Sequence, residues 1–301
     1  MKAIAVNTLT KQYGSARGIE NLTFDVESGE VFGYLGPNGS GKTTTIRCLM
    51  GMLRPTYGEC QVLGERVFPG RATGHDRMGY LPGDFKIWEQ HTGRRALHVL
   101  GSLGHGKSFL TRQAELAERL DLNLDRRVRT LSKGNRQKIG LVYAFQHQPD
   151  LLILDEPTSG LDPLMRQIVL DLIREAAEAG ATVLLSSHDL SEVAAVCQQA
   201  AILREGKLIE LAPIARIVQQ GQRRLKVWFA QGTQVPEIPK ELSDTRIIRR
   251  EASCLEIAYQ GSADRTVKWL AQYPVERITT PETPLEDAFI QYYQKEATHA
   301  Q

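Results

Sequence analysis

The sequence predicts an α/β fold: a largely parallel, covered sheet, preceded by an antiparallel N-terminal sheet, interrupted by a helical insert and followed by a small α+β domain. Three observations predict it. Short, largely apolar runs at residues 151–154, 182–185 and 200–203 are separated by segments of helical spacing, the pattern of parallel strands buried on both faces. A glycine-rich turn, Gly36-Pro37-Asn38-Gly39-Ser40-Gly41-Lys42-Thr43, follows one apolar run and precedes a helical one. The residue pattern then changes character near Asp84 and again near Leu211.

Taken in order, residues 2–35 alternate or carry β-branched side chains, broken by Gly14, Gly18, Gly29 and Gly33. They read as several strands joined by tight turns. The last of them, Glu30-Val31-Phe32-Gly33-Tyr34-Leu35, is a buried strand that runs into the glycine turn, and residues 42–50 have helical spacing. Residues 84–130 hold amphipathic segments such as 112–120 and no strand pattern, which predicts the helical insert. Beyond residue 211, strands are expected at 224–229, 246–249 and 253–259, and helices at 265–273 and 285–293. The boundary falls within residues 212–221, giving domains of 1–214 and 215–301, without internal repeats or low-complexity tracts.

The 301 residues, 42% of them hydrophobic, suffice for a sizeable core and favour two domains. A formal net charge of +2, with Lys and Arg dispersed along the chain, predicts no sequence-independent grip on nucleic acid. Cys48, Cys60, Cys197 and Cys254 lie far apart and form no Cys-x-x-Cys pair, as expected of reduced thiols in a cytosolic protein without sulfur-bound metal. The longest apolar runs fall far short of the roughly 20 residues that a membrane span needs. The N-terminus lacks the apolar stretch of a secretory signal, so a cytosolic location is expected.

In Gly36-x-x-x-x-Gly41-Lys42-Thr43 the glycines let backbone N–H groups converge on phosphate oxygens without side-chain obstruction. Lys42 can then reach the β- and γ-phosphates, the Thr43 hydroxyl can ligate Mg²⁺, and the following helix presents its positive end to the anion. The same spacing recurs at Gly101-Ser102-Leu103-Gly104-His105-Gly106-Lys107-Ser108. That copy follows a helical segment and lacks a strand to aim it, so it reads as a turn between helices. Asp155 and Glu156 close an apolar strand, where Asp155 is placed to hold Mg²⁺ and Glu156 to polarise an attacking water. An acidic pair at a strand end is by itself a solvated turn; its position after the loop and before Pro157-Thr158-Ser159-Gly160-Leu161-Asp162 favours a chemical role.

These segments, in this order, resemble the ATP-binding subunit of an ABC (ATP-binding cassette) transporter over roughly residues 1–211. Gly36 to Thr43 resembles the Walker A loop, Leu131-Ser132-Lys133-Gly134-Asn135-Arg136-Gln137 the family signature, Leu151-Leu152-Ile153-Leu154-Asp155-Glu156 the Walker B strand and Ser159-Gly160-Leu161-Asp162 the D-loop. His188, in Ser186-Ser187-His188-Asp189, matches the switch histidine. The resemblance implies that ATP is cradled by Gly36, Pro37, Asn38, Gly39, Ser40, Gly41, Lys42, Thr43 and Thr44, and that Mg²⁺ is held by Thr43 and Asp155. It implies catalytic roles for Glu156 and His188, and adenine stacking on Tyr13, a residue that spacing alone assigns to a turn. Ser132 and Gly134 offer a hydroxyl and backbone N–H groups at a helix start with no phosphate of their own. The family solution is a head-to-tail dimer in which each signature covers the γ-phosphate held by the partner; an ordinary helix cap by Ser132 is compatible with that. His188 is equally compatible with a satisfied sheet-edge histidine on its residue type alone.

Two features depart from the family pattern. Where the family carries glutamine after Tyr80-Leu81-Pro82, this chain has Gly83 and Asp84, and Asp84 is open either to bind Mg²⁺ through water or to shape the loop. Lys133 and Asn135 replace the commoner Gly and Gln of the signature, a variation that resembles bacterial exporter-type members. The tail resembles the extension of ATP-binding subunits that pair with ABC-2-type membrane proteins, with Leu285, Phe289 and Tyr293 forming an i, i+4, i+8 stripe that equally fits the packing of the tail's own core. The expectation is a cytoplasmic ATPase subunit of an exporter, a homodimer or a pair with a related subunit. Its helical insert would dock on a separately encoded membrane permease and so hold it at the inner face of the cell membrane, with no nucleic acid involved. The competing readings are an import ATPase and a soluble ABC ATPase of translation or DNA maintenance, which usually carries two cassettes or a long coiled-coil insert.

Overall fold

The computed structural model describes residues 1–14, 16–70, 75–104, 109–220, 223–233, 235–239, 241–242, 244–259 and 262–281. The chain divides into two compact units, Met1–Ile214 and Ala215–Gln301. In the first, β1 (Lys2–Tyr13) and β2 (Ala16–Glu27) pair antiparallel, with register shifts between Val6 and Leu9 and beyond. The strand β3 (Val31–Leu35), buried at every residue, leads into the glycine turn and α1 (Lys42–Leu49). The chain returns through β4 (Tyr57–Val62) and β5 (Glu65–Arg66), then enters the second sheet as β6 (Met78–Leu81). The helices α2 (Gly93–Gly104), α3 (Leu110–Arg119) and α4 (Lys133–Phe145) follow, and after them β7 (Leu151–Asp155), α5 (Pro163–Glu178), β8 (Thr182–Ser187), α6 (Leu190–Val196), β9 (Gln199–Arg204) and β10 (Lys207–Pro213).

Two sheets result, an antiparallel one in the order β2-β1-β4-β5 and a six-stranded one in the order β10-β9-β3-β8-β7-β6. In the second, every described pairing is parallel except that of the edge strand β10 with β9. Alternation along the central strands sorts side chains between two faces. Phe32, Tyr34, Leu151, Ile153 and Leu184 join Ile4, Val6, Phe24 and Ile46 in one core between the sheets, where Phe24 stacks on Phe32 with ring centroids 5.7 Å apart. The intervening residues face the other way; Gly33 lies against Val193 of α6, and α5 packs on β8. Leu151 to Leu154 are wholly buried, and each such side chain stabilises the fold by roughly 1.5–3 kcal/mol.

The predicted insert is helical, with α2 and α3 packed on α4. Its β structure, among the described residues, is an isolated bridge between Thr92 and Arg127. A bidentate ion pair, Arg119 to Glu175 with both contacts at 2.6 Å, ties α3 to α5. Of the second glycine-rich repeat, residues 101–104 complete α2, whereas residues 105–108, with Lys107, lie outside the described residues.

After α7 (Ile214–Gln220), the second unit contains β11 (Arg223–Phe229), β12 (Thr245–Arg250), β13 (Cys254–Tyr259), α8 (Asp264–Leu270) and β14 (Val275–Thr279). The strands form one antiparallel sheet, β12-β13-β11-β14, whose Leu225, Val227, Phe229, Leu255, Ile257 and Tyr259 pack with Trp269 and Leu270 of α8. The helix expected at residues 285–293, with its stripe of Leu285, Phe289 and Tyr293, lies outside the described residues. All four cysteines are free and buried. No helix among the described residues is long and apolar enough to cross a membrane.

Candidate active site

Parallel pairing brings three strand ends to one edge of the six-stranded sheet, since Leu35 of β3 lies opposite Ser187 of β8 and Asp155 of β7 opposite Ser186. The segments that leave these ends carry the glycine turn, Glu156 and His188, so residues distant in sequence converge at the carboxyl edge, where open α/β sheets bind ligands. A cavity of about 280 Å³ opens there, lined by Gly18, every residue from Pro37 to Thr44, and Glu156.

The turn is built for close backbone approach. Gly41 adopts φ 106°, a conformation that other residues rarely hold, and a Cβ on Gly36 would fall 2.6 Å from the Leu203 carbonyl oxygen. Gly41 heads α1 without a side-chain cap, so no cap side chain competes for the first-turn N–H groups of residues that line the cavity. Tyr34 beneath the turn donates from its hydroxyl to Thr45 Oγ1 at 3.0 Å, joining β3 to α1, and burial pushes its ionisation well above the usual tyrosine range. Ser40 Oγ is buried in the turn without a partner.

Lys42 is 6% exposed and must satisfy its ammonium internally. It donates to the carbonyl oxygens of Gly36 at 2.5 Å and Pro37 at 3.3 Å, and pairs with Glu156 Oε1 at 3.2 Å. The other carboxylate oxygen of Glu156 lies 2.6 Å from His188 Nδ1. Glu156 has φ 52°, left-handed backbone that costs a non-glycine residue about 1–3 kcal/mol. Asp155, 1% exposed, accepts from Thr43 Oγ1 at 2.8 Å and from Ser186 Oγ at 2.7 Å. Nearby Tyr80 is pushed up to about 12, by burial first and then by the charge of Asp155.

The juxtaposed Thr43 hydroxyl and Asp155 carboxylate are a hard oxygen pair of the kind that takes Mg²⁺ through one carboxylate and the phosphates of a substrate. Among the described residues there is no cluster of three or more His, Cys, Asp or Glu that could hold a metal ion. Gly83 packs against this carboxylate, its Cβ position 3.3 Å from Asp155 Oδ2. The carboxylate of Asp84 is exposed and paired with Lys86 at 3.0 Å.

Ser132 and Gly134 do not line this cavity. Ser132 caps α4, its Oγ accepting from Asn135 N at 3.2 Å, and a Cβ on Gly134 would lie 2.6 Å from the Gly160 carbonyl oxygen, so the two glycine-bearing segments touch through backbone. Tyr13 ends β1, is 41% exposed and has Lys11 Nζ 5.5 Å from its ring centroid; it too lies outside the cavity lining. No sequence pattern marks Ser186 or Gly18 as a site residue. Ser186 was detectable only from the strand register that sets it beside Asp155, and Gly18 from the approach of its carbonyl oxygen to the Gly41 Cβ position at 3.7 Å.

The chain matches the family model described as ABC transporter across residues 19–159. The bacitracin transport ATP-binding protein BcrA of Bacillus licheniformis is 30% identical over 297 residues, 95% of this chain and 96% of its own. The Nod factor export ATP-binding protein I of Paraburkholderia xenovorans (strain LB400) is 36% identical over 225 residues, 72% of this chain and 73% of its own. A solved ATP-binding subunit of an ABC transporter superposes with a TM-score of 0.66 at 31% identity, covering 72% of this chain and 92% of that one. With the glycine turn, the acidic strand end and the histidine meeting at one sheet edge in a chain this similar to those proteins, the protein belongs to the ATP-binding subunits of ABC transporters, ATPases of the P-loop ABC fold.

Proposed function

We propose that this chain is the ATP-hydrolysing subunit of an exporter, working as a dimer on a separately encoded ABC-2-type permease at the inner face of the cell membrane, with residues 1–214 as its nucleotide-binding domain. The observation that carries the reading is the network Thr43–Asp155–Ser186 and Lys42–Glu156–His188, of which Lys42, Thr43 and Glu156 line one 280 Å³ cavity at the start of α1. The outward direction draws support from a relative named for Nod factor export and from one named for bacitracin transport that matches along nearly the whole chain.

In this reading the turn from Gly36 to Thr44 receives the phosphates of ATP, and Lys42 exchanges Glu156 for β- and γ-phosphate oxygens. Thr43 and Asp155 hold Mg²⁺, which when bound neutralises the charge that develops on the transferred phosphoryl group. Glu156, released from Lys42, accepts a hydrogen bond from the attacking water; the new bond forms from water oxygen to γ-phosphorus as the bond to the bridging oxygen breaks, and the water's proton passes by way of Glu156 to the released phosphate, leaving ADP and phosphate. His188 keeps Glu156 oriented through Nδ1 and reaches the γ-phosphate with its free edge. Ser132 and Gly134, lying outside this cavity, complete that of a partner copy.

Glu156→Gln tests the reading. The variant should bind ATP, lose turnover by at least about a hundredfold and elute as an ATP-dependent dimer in size-exclusion chromatography, while the parent is a dimer only transiently. Parental turnover by the variant would refute the role of Glu156. Recovery of a polytopic membrane protein with the tagged chain from detergent extracts tests the transporter assignment, and its absence there would count against it.

A further inference from the structure

Gln137 lies on α4 with 4% of its surface exposed, and its Nε2 donates to the carbonyl oxygens of Glu156 at 3.2 Å and Pro157 at 3.4 Å. The peptides it grips are those that leave the left-handed Glu156. On the other side Glu156 N donates to the Ser186 carbonyl at 3.0 Å, and Ser159 N donates to the Glu156 carbonyl at 3.1 Å. A left-handed non-glycine backbone persists only where its surroundings over-determine it. Here β8 holds the incoming peptide, while an amide from another helix holds the outgoing ones.

We propose that Gln137 is a positioning residue for Glu156: by fixing the two carbonyls after the strand end it sets the direction of the Glu156 carboxylate. Gln137 does not itself line the cavity, and the one lining residue it hydrogen-bonds is Glu156, so its effect on catalysis passes through Glu156. Its helix begins at Ser132, about one and a half turns away, so a movement of the helix head on partner binding is delivered to the residue that orients water. This rests on the reading of Glu156 as that residue.

The test uses the full-length protein and variants that keep side-chain size. Gln137→Met retains length and removes both donors; Gln137→Glu keeps the shape but sets an acceptor against two carbonyl oxygens. Gln137→Met should lower kcat about tenfold with KM for ATP and the affinity for a fluorescent ADP analogue within about twofold, and Gln137→Glu should lower kcat further. In a Glu156→Gln background, single-turnover hydrolysis should be unchanged, within about twofold, by adding Gln137→Met, because the two substitutions act at one point. A parental kcat for Gln137→Met, a raised KM at constant kcat, or a full independent loss in the Glu156→Gln background would each overturn the proposal. Should Gln137→Met not fold, Gln137→Asn, an amide one methylene short, carries the same comparison. A full-rate Gln137→Met beside an inactive Glu156→Gln overturns this inference only; a full-rate Glu156→Gln removes the role of Glu156, and this inference with it.

Discussion

Lys42 places a buried ammonium among two carbonyl oxygens and one carboxylate, so its charge is satisfied before any phosphate arrives. In the proposed mechanism a triphosphate takes over only the Glu156 contact, while the carbonyls of Gly36 and Pro37 keep the side chain aimed. A charge-assisted bond of this kind contributes about 1.5–3 kcal/mol, equivalent to roughly 10- to 150-fold in affinity. Lys42→Ala should therefore weaken binding of a fluorescent ATP analogue by at least about tenfold. Lys107 has the same place in an identical spacing but follows the helix α2 where Lys42 follows β3 and its turn. Lys107→Ala should bind the analogue within about twofold of the parent, and an equal loss from both lysines would show that spacing, and not the strand before it, selects the phosphate loop.

Among the elements, α3 has the most to tell about how the insert is held, because its Arg119 reaches Glu175 of α5 with two bonds. That hydrogen-bonded guanidinium keeps the Glu175 carboxyl below its ordinary value. A carboxylate with a depressed folded-state pKa adds stability above the unfolded value, near 4.5, and loses it as pH falls through the lower folded value. With the pair half exposed, the contribution is about 0.5–1 kcal/mol. Urea titrations should show Glu175→Gln less stable than the parent by that amount at pH 7, the two curves converging as pH drops from 5 toward 3. Sequence patterns located the elements buried on both faces, such as β7 and β8, because burial leaves an unbroken apolar run. They missed β6, four residues with Gly79 in the middle, and the edge strands β10 and β14, whose partly or fully exposed side chains record no preferred face. The same division holds at the site. Lys42, Thr43, Asp155, Glu156 and His188 are legible because each sits in a contiguous segment at a strand end, whereas Ser186 beside Asp155 and Gln137 beneath Glu156 follow from register and helix packing.

For the molecule as a whole, the decisive fact is that Ser132 and Gly134 stand outside the cavity that Lys42 and Glu156 define. If each signature completes the partner's cavity across a two-fold axis, every site draws its Lys42 from one chain and its Ser132 from the other. Homodimers of Lys42→Ala have two sites without the lysine, and homodimers of Ser132→Arg two sites without a working signature, so each variant alone should be inactive. A mixed dimer differs: one site combines both defects, and the other combines an intact loop with an intact signature. Mixed one to one, with free exchange and independent sites, half the dimers are mixed and half of their sites intact, so ATPase activity should return to about one quarter of the parental value. Two inactive proteins that together hydrolyse ATP cannot be explained by sites closed within one chain. If differently tagged variants are shown to pair and the mixture stays inactive, the signature does not complete a partner's site, and Ser132 acts only as the cap of α4.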